Sequence, residues 1–131
     1  MNRDEILKSV LPSKAQECTV TFITLMIDKL IDLGVLEMID IGAIKMLAVN
    51  YEMYVQTSNA LIEDGPIISD KHGHKKANPA NRLVKDYGAQ VFALLKEFGL
   101  TVKSRDLIRS MNPSVEDDNP IKLLLESRNE K

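Results

Sequence analysis

Along residues 14 to 33, KAQECTVTFITLMIDKLIDL, the apolar positions Phe22, Leu25, Met26, Leu30 and Leu33 fall near a 3.6-residue period. The spacing predicts a first helix, and Gly34 follows where a left-handed C-terminal cap would sit. After the link GVLEMI, Asp40 can act as the N-cap of a second helix. Its stripe is Ile44, Leu47, Ala48, Tyr51, Tyr54, Val55, Ser58, Leu61 and Ile62, and it should end before Gly65-Pro66.

The pattern then changes. Ile67 and Ile68, the turn-like SDKHG and the stretch HKKA predict a short β-hairpin or an extended loop, with Gly73 supplying the positive φ of the turn. Asn78-Pro79 marks a helix start, since asparagine accepts from an unpaired amide at the cap and proline loses no hydrogen bond in the first helical position. Leu83, Val84, Tyr87, Val91, Leu94, Leu95 and Phe98 keep helical spacing over a third helix, and Phe98-Gly99-Leu100 reads as a glycine cap with a following apolar contact. Thr101 caps a short helix through VKSRDLIRS, stopped by Asn112-Pro113. Beyond the polar spacer SVEDDN, Asn119-Pro120 repeats the cap-plus-proline signal before IKLLLES, a segment too apolar for a free tail and too brief to fold alone.

These elements predict a mainly α protein: a small helical domain with three main helices, a short β-hairpin or extended loop between helices two and three, and a short C-terminal helix. Residues 1 to 110 are expected to form the domain, and residues 111 to 131 a polar linker and tail. Composition agrees. The chain has 131 residues, 44% hydrophobic and 27% charged, with 5% aromatics, six methionines and no tryptophan, which favours helix packing over a β-sandwich. No apolar run of about 18 residues and no signal-peptide pattern is present, so a cytosolic protein without a membrane span is expected. Cys18 is alone and reads as a small buried apolar residue.

Charge alters the picture more. Residues 1 to 64 hold five Lys/Arg against ten Asp/Glu, a balance of −5, whereas residues 65 to 110 hold nine against four, or +5. A local field acts within roughly a Debye length, about 8 to 10 Å, so the middle segment can attract a polyanion although the net charge is −2. Enzyme constellations are missing: there is no phosphate loop, no G-x-S-x-G, no H-E-x-x-H and no paired cysteines. His72 and His74 with Asp70 lack a further ligand, and the acidic pairs Glu63-Asp64 and Asp117-Asp118 lie in polar surroundings that would not tune an acid. No cofactor, metal or catalytic residue is expected. What remains is a basic cluster, Lys71, Lys75, Lys76, Arg82 and Lys85, followed by Lys103, Arg105 and Arg109 after the third helix. With the amides at the start of that helix, it suits backbone contact with nucleic acid.

The run YEMYVQTSNALIEDGPIISDKHGHKKANPANRLVKDYGAQVFALLKEFGLTVKSR resembles the small terminase subunits of tailed phages. Spaced tyrosines on a helix, E-x-G, an extended stretch with a glycine turn, a basic K-x-x-P helix start, a long helix and a GLT-x-x-SR finish carry the resemblance, which covers roughly residues 37 to 109. Two positions depart from the family pattern. Asn78 stands where histidine is usual before the proline, and Val102 where proline usually follows the threonine; both changes keep a helix start. The resemblance implies a non-enzymatic, ring-forming protein of the host bacterial cytoplasm that recognises double-stranded viral DNA for packaging and regulates the large terminase subunit. On that footing Lys71, Lys75, Lys76, Arg82, Lys85, Lys103 and Arg105 are the candidate DNA contacts, and the apolar surplus of the first two helices suits a homo-oligomeric ring. IKLLLES would dock on the large subunit or on its own ring. The competing readings are a dimeric helical transcriptional regulator or antitoxin, which would need a recognition helix, and a protein-only adaptor whose basic loop binds an acidic partner.

Overall fold

A computed structural model describes residues 2–111 and residue 128. It contains α1 (Arg3–Val10), α2 (Glu17–Asp32), α3 (Asp40–Asp64), β1 (Ile67–Ser69), β2 (Lys75–Ala77), α4 (Ala80–Glu97) and α5 (Val102–Met111). The chain divides into two compact units, residues 1–100 and residues 101–131. The protein is mainly α, and among the described residues an antiparallel two-stranded hairpin lies between α3 and α4.

Helix α1 was not anticipated from the sequence. Its signal is a capping box: the Glu5 amide donates to Asn2 Oδ1 at 2.9 Å, and the Asn2 amide donates to Glu5 Oε2 at 3.1 Å. Ile6 and Val10, one helical turn apart, then enter the core, and Arg3 reaches across to Asp28 on α2 with Nη2 to Oδ2 at 2.9 Å. That exposed pair contributes little, on the order of 0 to 1 kcal/mol. The buried isoleucine and valine give α1 its place, each worth roughly 1.5 to 3 kcal/mol.

The core of the first unit joins Ile6 and Val10 to Ile23, Met26, Ile27 and Leu30 of α2, Ile44, Leu47 and Ala48 of α3, and Val91 of α4. The buried face of α2 is thus rotated from the expected stripe: Leu25 is 64% exposed and Leu33 is also exposed, while Ile23 and Ile27 are wholly covered. Helix α1 is the partner that the sequence reading lacked: Ile6 and Val10 join the same core as Ile23 and Ile27. Cys18, expected to be buried, is exposed in the first turn of α2. Asp40 is not the N-cap of α3; its carboxylate reaches back to accept the Glu37 amide at 3.0 Å, closing the turn before the helix. Gly34, Gly65, Gly73 and Gly99 hold φ between 67° and 83°, as the caps and the turn require.

Glu52 is the least expected member of the core, only 2% exposed in the middle of α3. Its carboxylate accepts from the Thr19 hydroxyl, from the Gln16 amide at 3.1 Å and from Gln56 Nε2 at 3.2 Å. Gln16 precedes α2 and offers no side-chain cap of its own, so α3 caps α2 through Glu52. Burial pushes the Glu52 carboxyl up, but the hydrogen bonds from Thr19, Gln56 and Gln16 outweigh it and hold the group below its ordinary value.

Helices α3 and α4 run in opposite directions along one another. Tyr54 lies 3.4 Å from where a Cβ would stand on Gly88, and the same slot continues to Tyr51 and Leu95, so position falls on α3 as it rises on α4. The hairpin occupies the connection of this helical pair. It lies beyond Asp64, 12 residues past Glu52 and so about 18 Å along α3 from the last buried residue of that helix. Helix α5, in the second unit, starts as expected: Thr101 Oγ1 accepts the Ser104 amide at 3.2 Å. The apolar segment IKLLLES and the spacer before it lie outside the described residues.

Candidate nucleic-acid interface

Gly65 ends α3 with its amide on the Leu61 carbonyl at 2.8 Å, and Pro66 cannot extend the helix. The strands then pair Ile67 with Ala77, Ile68 with Lys76 and Ser69 with Lys75. Because side chains alternate along a strand, Lys75 stands on one face of this ribbon and Lys76 on the other.

The turn is tied together by Asp70. Its Oδ1 accepts the amides of His72 at 2.8 Å and His74 at 2.9 Å, its own amide donates to the His74 carbonyl at 2.8 Å, and Gly73 closes back on the Asp70 carbonyl at 3.0 Å. Asp70 Oδ2 also lies 3.6 Å from His74 Nδ1. The only acid of the hairpin therefore turns its charge inward, onto backbone donors. Residues 71 to 77 are exposed without a break, so Lys71, Lys75 and Lys76 present three cations to solvent.

The base of the ribbon is fastened by two asparagines. Asn78 is buried; its amide donates to the Pro66 carbonyl at 2.9 Å, its Nδ2 to the Gly65 carbonyl at 2.9 Å, and its Oδ1 accepts the Ala80 amide at 3.0 Å. Asn81 Nδ2 donates to the Pro66 carbonyl at 2.9 Å. Asn78 thus connects the end of α3, the hairpin and the start of α4. The same bonds correct one expectation: the Ala80 amide is committed to Asn78 Oδ1 and the Asn81 amide to the Asn78 carbonyl at 3.0 Å, so neither is open to a phosphate.

Arg82 and Lys85 lie exposed in the first turns of α4, three residues apart and so on neighbouring sides of the helix. Arg82 Nε is 3.8 Å from Asp86 Oδ2, a loose pair that moderates its charge. The first unit therefore joins Lys71, Lys75, Lys76, Arg82 and Lys85 through one rigid junction. Lys103 and Arg105 belong to α5 in the second unit. Lys103 is exposed, whereas Arg105 is half-buried with its Nε covered and without a hydrogen-bond partner among the described residues.

The residues that sequence reasoning missed are those that position the cations. Asp70 reads as a turn residue and Asn78 as a helix cap, and only the folded hairpin shows that each spends its side chain on fixing it. Among the described residues no group of three or more His, Cys, Asp or Glu could hold a metal, and no helix is long and apolar enough to cross a membrane.

Residues 24–114 match a family model described as phage terminase, small subunit. No curated protein and no solved structure matches the chain.

Proposed function

The chain belongs to the phage terminase small subunit family, and from that premise we propose that it is a non-enzymatic, ring-forming protein that binds double-stranded viral DNA at the start of packaging and regulates the large terminase subunit. It acts in the host bacterial cytoplasm. Residues 1 to 110 are the DNA-binding and ring-forming part, and residues 111 to 131 are a linker and tail.

One observation carries the DNA reading: an exposed run of cations on a hairpin whose single acid is turned inward and whose base is pinned by Asn78. A loop kept only for solubility needs no such fixing. Lys71, Lys75, Lys76, Arg82 and Lys85 are the principal contacts, with Lys103 and Arg105 of the second unit as additional ones. A ring repeats a modest set of contacts on every subunit, and tethered contacts add as avidity. The exposed Leu25, Met38, Met46 and Phe92 support subunit contacts.

The test is duplex DNA binding by the full-length protein across a salt series. Log affinity should fall with log salt by about 0.9 for each phosphate neutralised. Replacing Lys71, Lys75 and Lys76 together with alanine should flatten that slope. Binding that is insensitive to salt, or a slope indifferent to the three substitutions, would remove the hairpin from the interface.

A further inference from the structure

The hairpin poses a physical puzzle. An isolated two-stranded ribbon is marginal in water, and of the six strand residues only Ile68 is even half-buried. It is nonetheless fully specified, by the Asp70 bonds across the turn and by Asn78 and Asn81 at the base. Such fixing lowers the ordering cost of a later encounter. The register also divides the cations, since Lys75 and Lys76 stand on opposite faces. A flat surface would meet one of them and leave the other in water. A groove with two charged walls would meet both.

We propose that the β1–β2 hairpin enters the major groove of double-stranded DNA as a ribbon, with Lys75 and Lys76 reaching the phosphates of opposite strands. The proposal rests on the DNA-binding function above and adds the mode of contact. The major groove, about 12 Å wide and 8.5 Å deep, admits a two-stranded ribbon, whereas the minor groove is only about 6 Å wide. From the Ile67–Ala77 pair to the Ser69–Lys75 pair the ribbon rises about 7 Å before its turn, so ribbon and turn together are long enough to span that depth. The turn carries Lys71, His72 and His74, all exposed, to the groove floor. Asp70, the one acid within the hairpin, holds its carboxylate against the amides of His72 and His74.

The full-length protein is titrated onto two labelled duplexes of one sequence. One carries ordinary cytosine and the other glucosylated 5-hydroxymethylcytosine, whose sugars fill the major groove from the pyrimidine C5 position and spare the minor groove. The ordinary duplex should bind at least about tenfold more tightly than the glucosylated one. K75A and K76A should each lower the salt slope by about 0.9, and the double variant should lose the discrimination between duplexes. Equal affinity for the two duplexes would overturn the ribbon while leaving phosphate binding intact. Discrimination that survives in the double variant would overturn it as well, by putting another element in the groove. No binding to either duplex would overturn the ribbon together with the function on which it rests.

Discussion

Glu52 shows how much one side chain can hold. A buried carboxylate is tolerable only when its lone pairs are used, and here neutral donors, not a cation, use them: the Thr19 hydroxyl, the Gln16 amide and the Gln56 side chain. The bonds lower its pKa below the ordinary 4.5. A depressed folded pKa gives stability that is present above the unfolded value and is lost as pH falls through the folded one. Glu52 should therefore stabilise the protein fully at neutral pH and progressively less below about pH 4.5. Glu52→Gln keeps the shape but sets an amide donor against donors, and should cost about 1 to 3 kcal/mol at pH 7. Urea unfolding at pH 7 and near pH 4 checks both parts. The gap between wild type and variant should narrow in acid, and a constant gap would deny Glu52 its role.

At the scale of elements, the hairpin and α4 depend on Asn78 as a shared hinge pin. Asn78→Ala removes two side-chain bonds and leaves the Gly65 carbonyl and the Ala80 amide without their partner, at a cost of about 1 to 3 kcal/mol. Amides of residues 67–77 should exchange with solvent faster, while those of Ile27 and Leu47 in the core keep their protection; unchanged hairpin exchange would show that Asn78 is not the pin. Element order was legible in the sequence where the cue was local. Gly-Pro after α3, the glycine turn and the Gly99 cap act through neighbouring backbone, as does the bond from the Ala80 amide to Asn78 before α4. What needed tertiary partners was not legible. Helix α1 has a local cue in its Asn2–Glu5 capping box, but it is a short segment whose two core residues matter only once α2 and α3 are beside it. Glu52 continues the spacing of Ile44 and Ala48, so its inward position was readable, but two of its three partners, Thr19 and Gln16, lie 33 and 36 residues away. For the candidate site, the cations were readable and their division between two ribbon faces follows only from the register.

For the whole molecule, charge and apolar surface are arranged so that one chain does not satisfy itself. The segment up to Asp64 is acidic and the hairpin with α4 is basic, which leaves the basic part open to a polyanion. Helix α3 is apolar on opposed sides. At 100° per residue, Met46 and Val49 project away from the side that carries Ile44, Leu47 and Ala48 into the core, and they are 59% and 38% exposed. A ring subunit needs two different contact faces, each burying on the order of 800 Å² per partner, and this outer side of α3 is available for one of them. Met46→Glu with Val49→Glu places two charges there without touching the core or the cations. Native mass spectrometry should then show the assembly of the wild-type protein reduced toward the 14.7 kDa subunit, with helical circular dichroism unchanged. DNA affinity should fall with it, because the cations of Lys71, Lys75 and Lys76 would no longer act on linked subunits. An unaltered assembly would clear this side of α3 of any contact. A wild-type protein that is itself monomeric would remove the ring and leave the hairpin to bind DNA one subunit at a time.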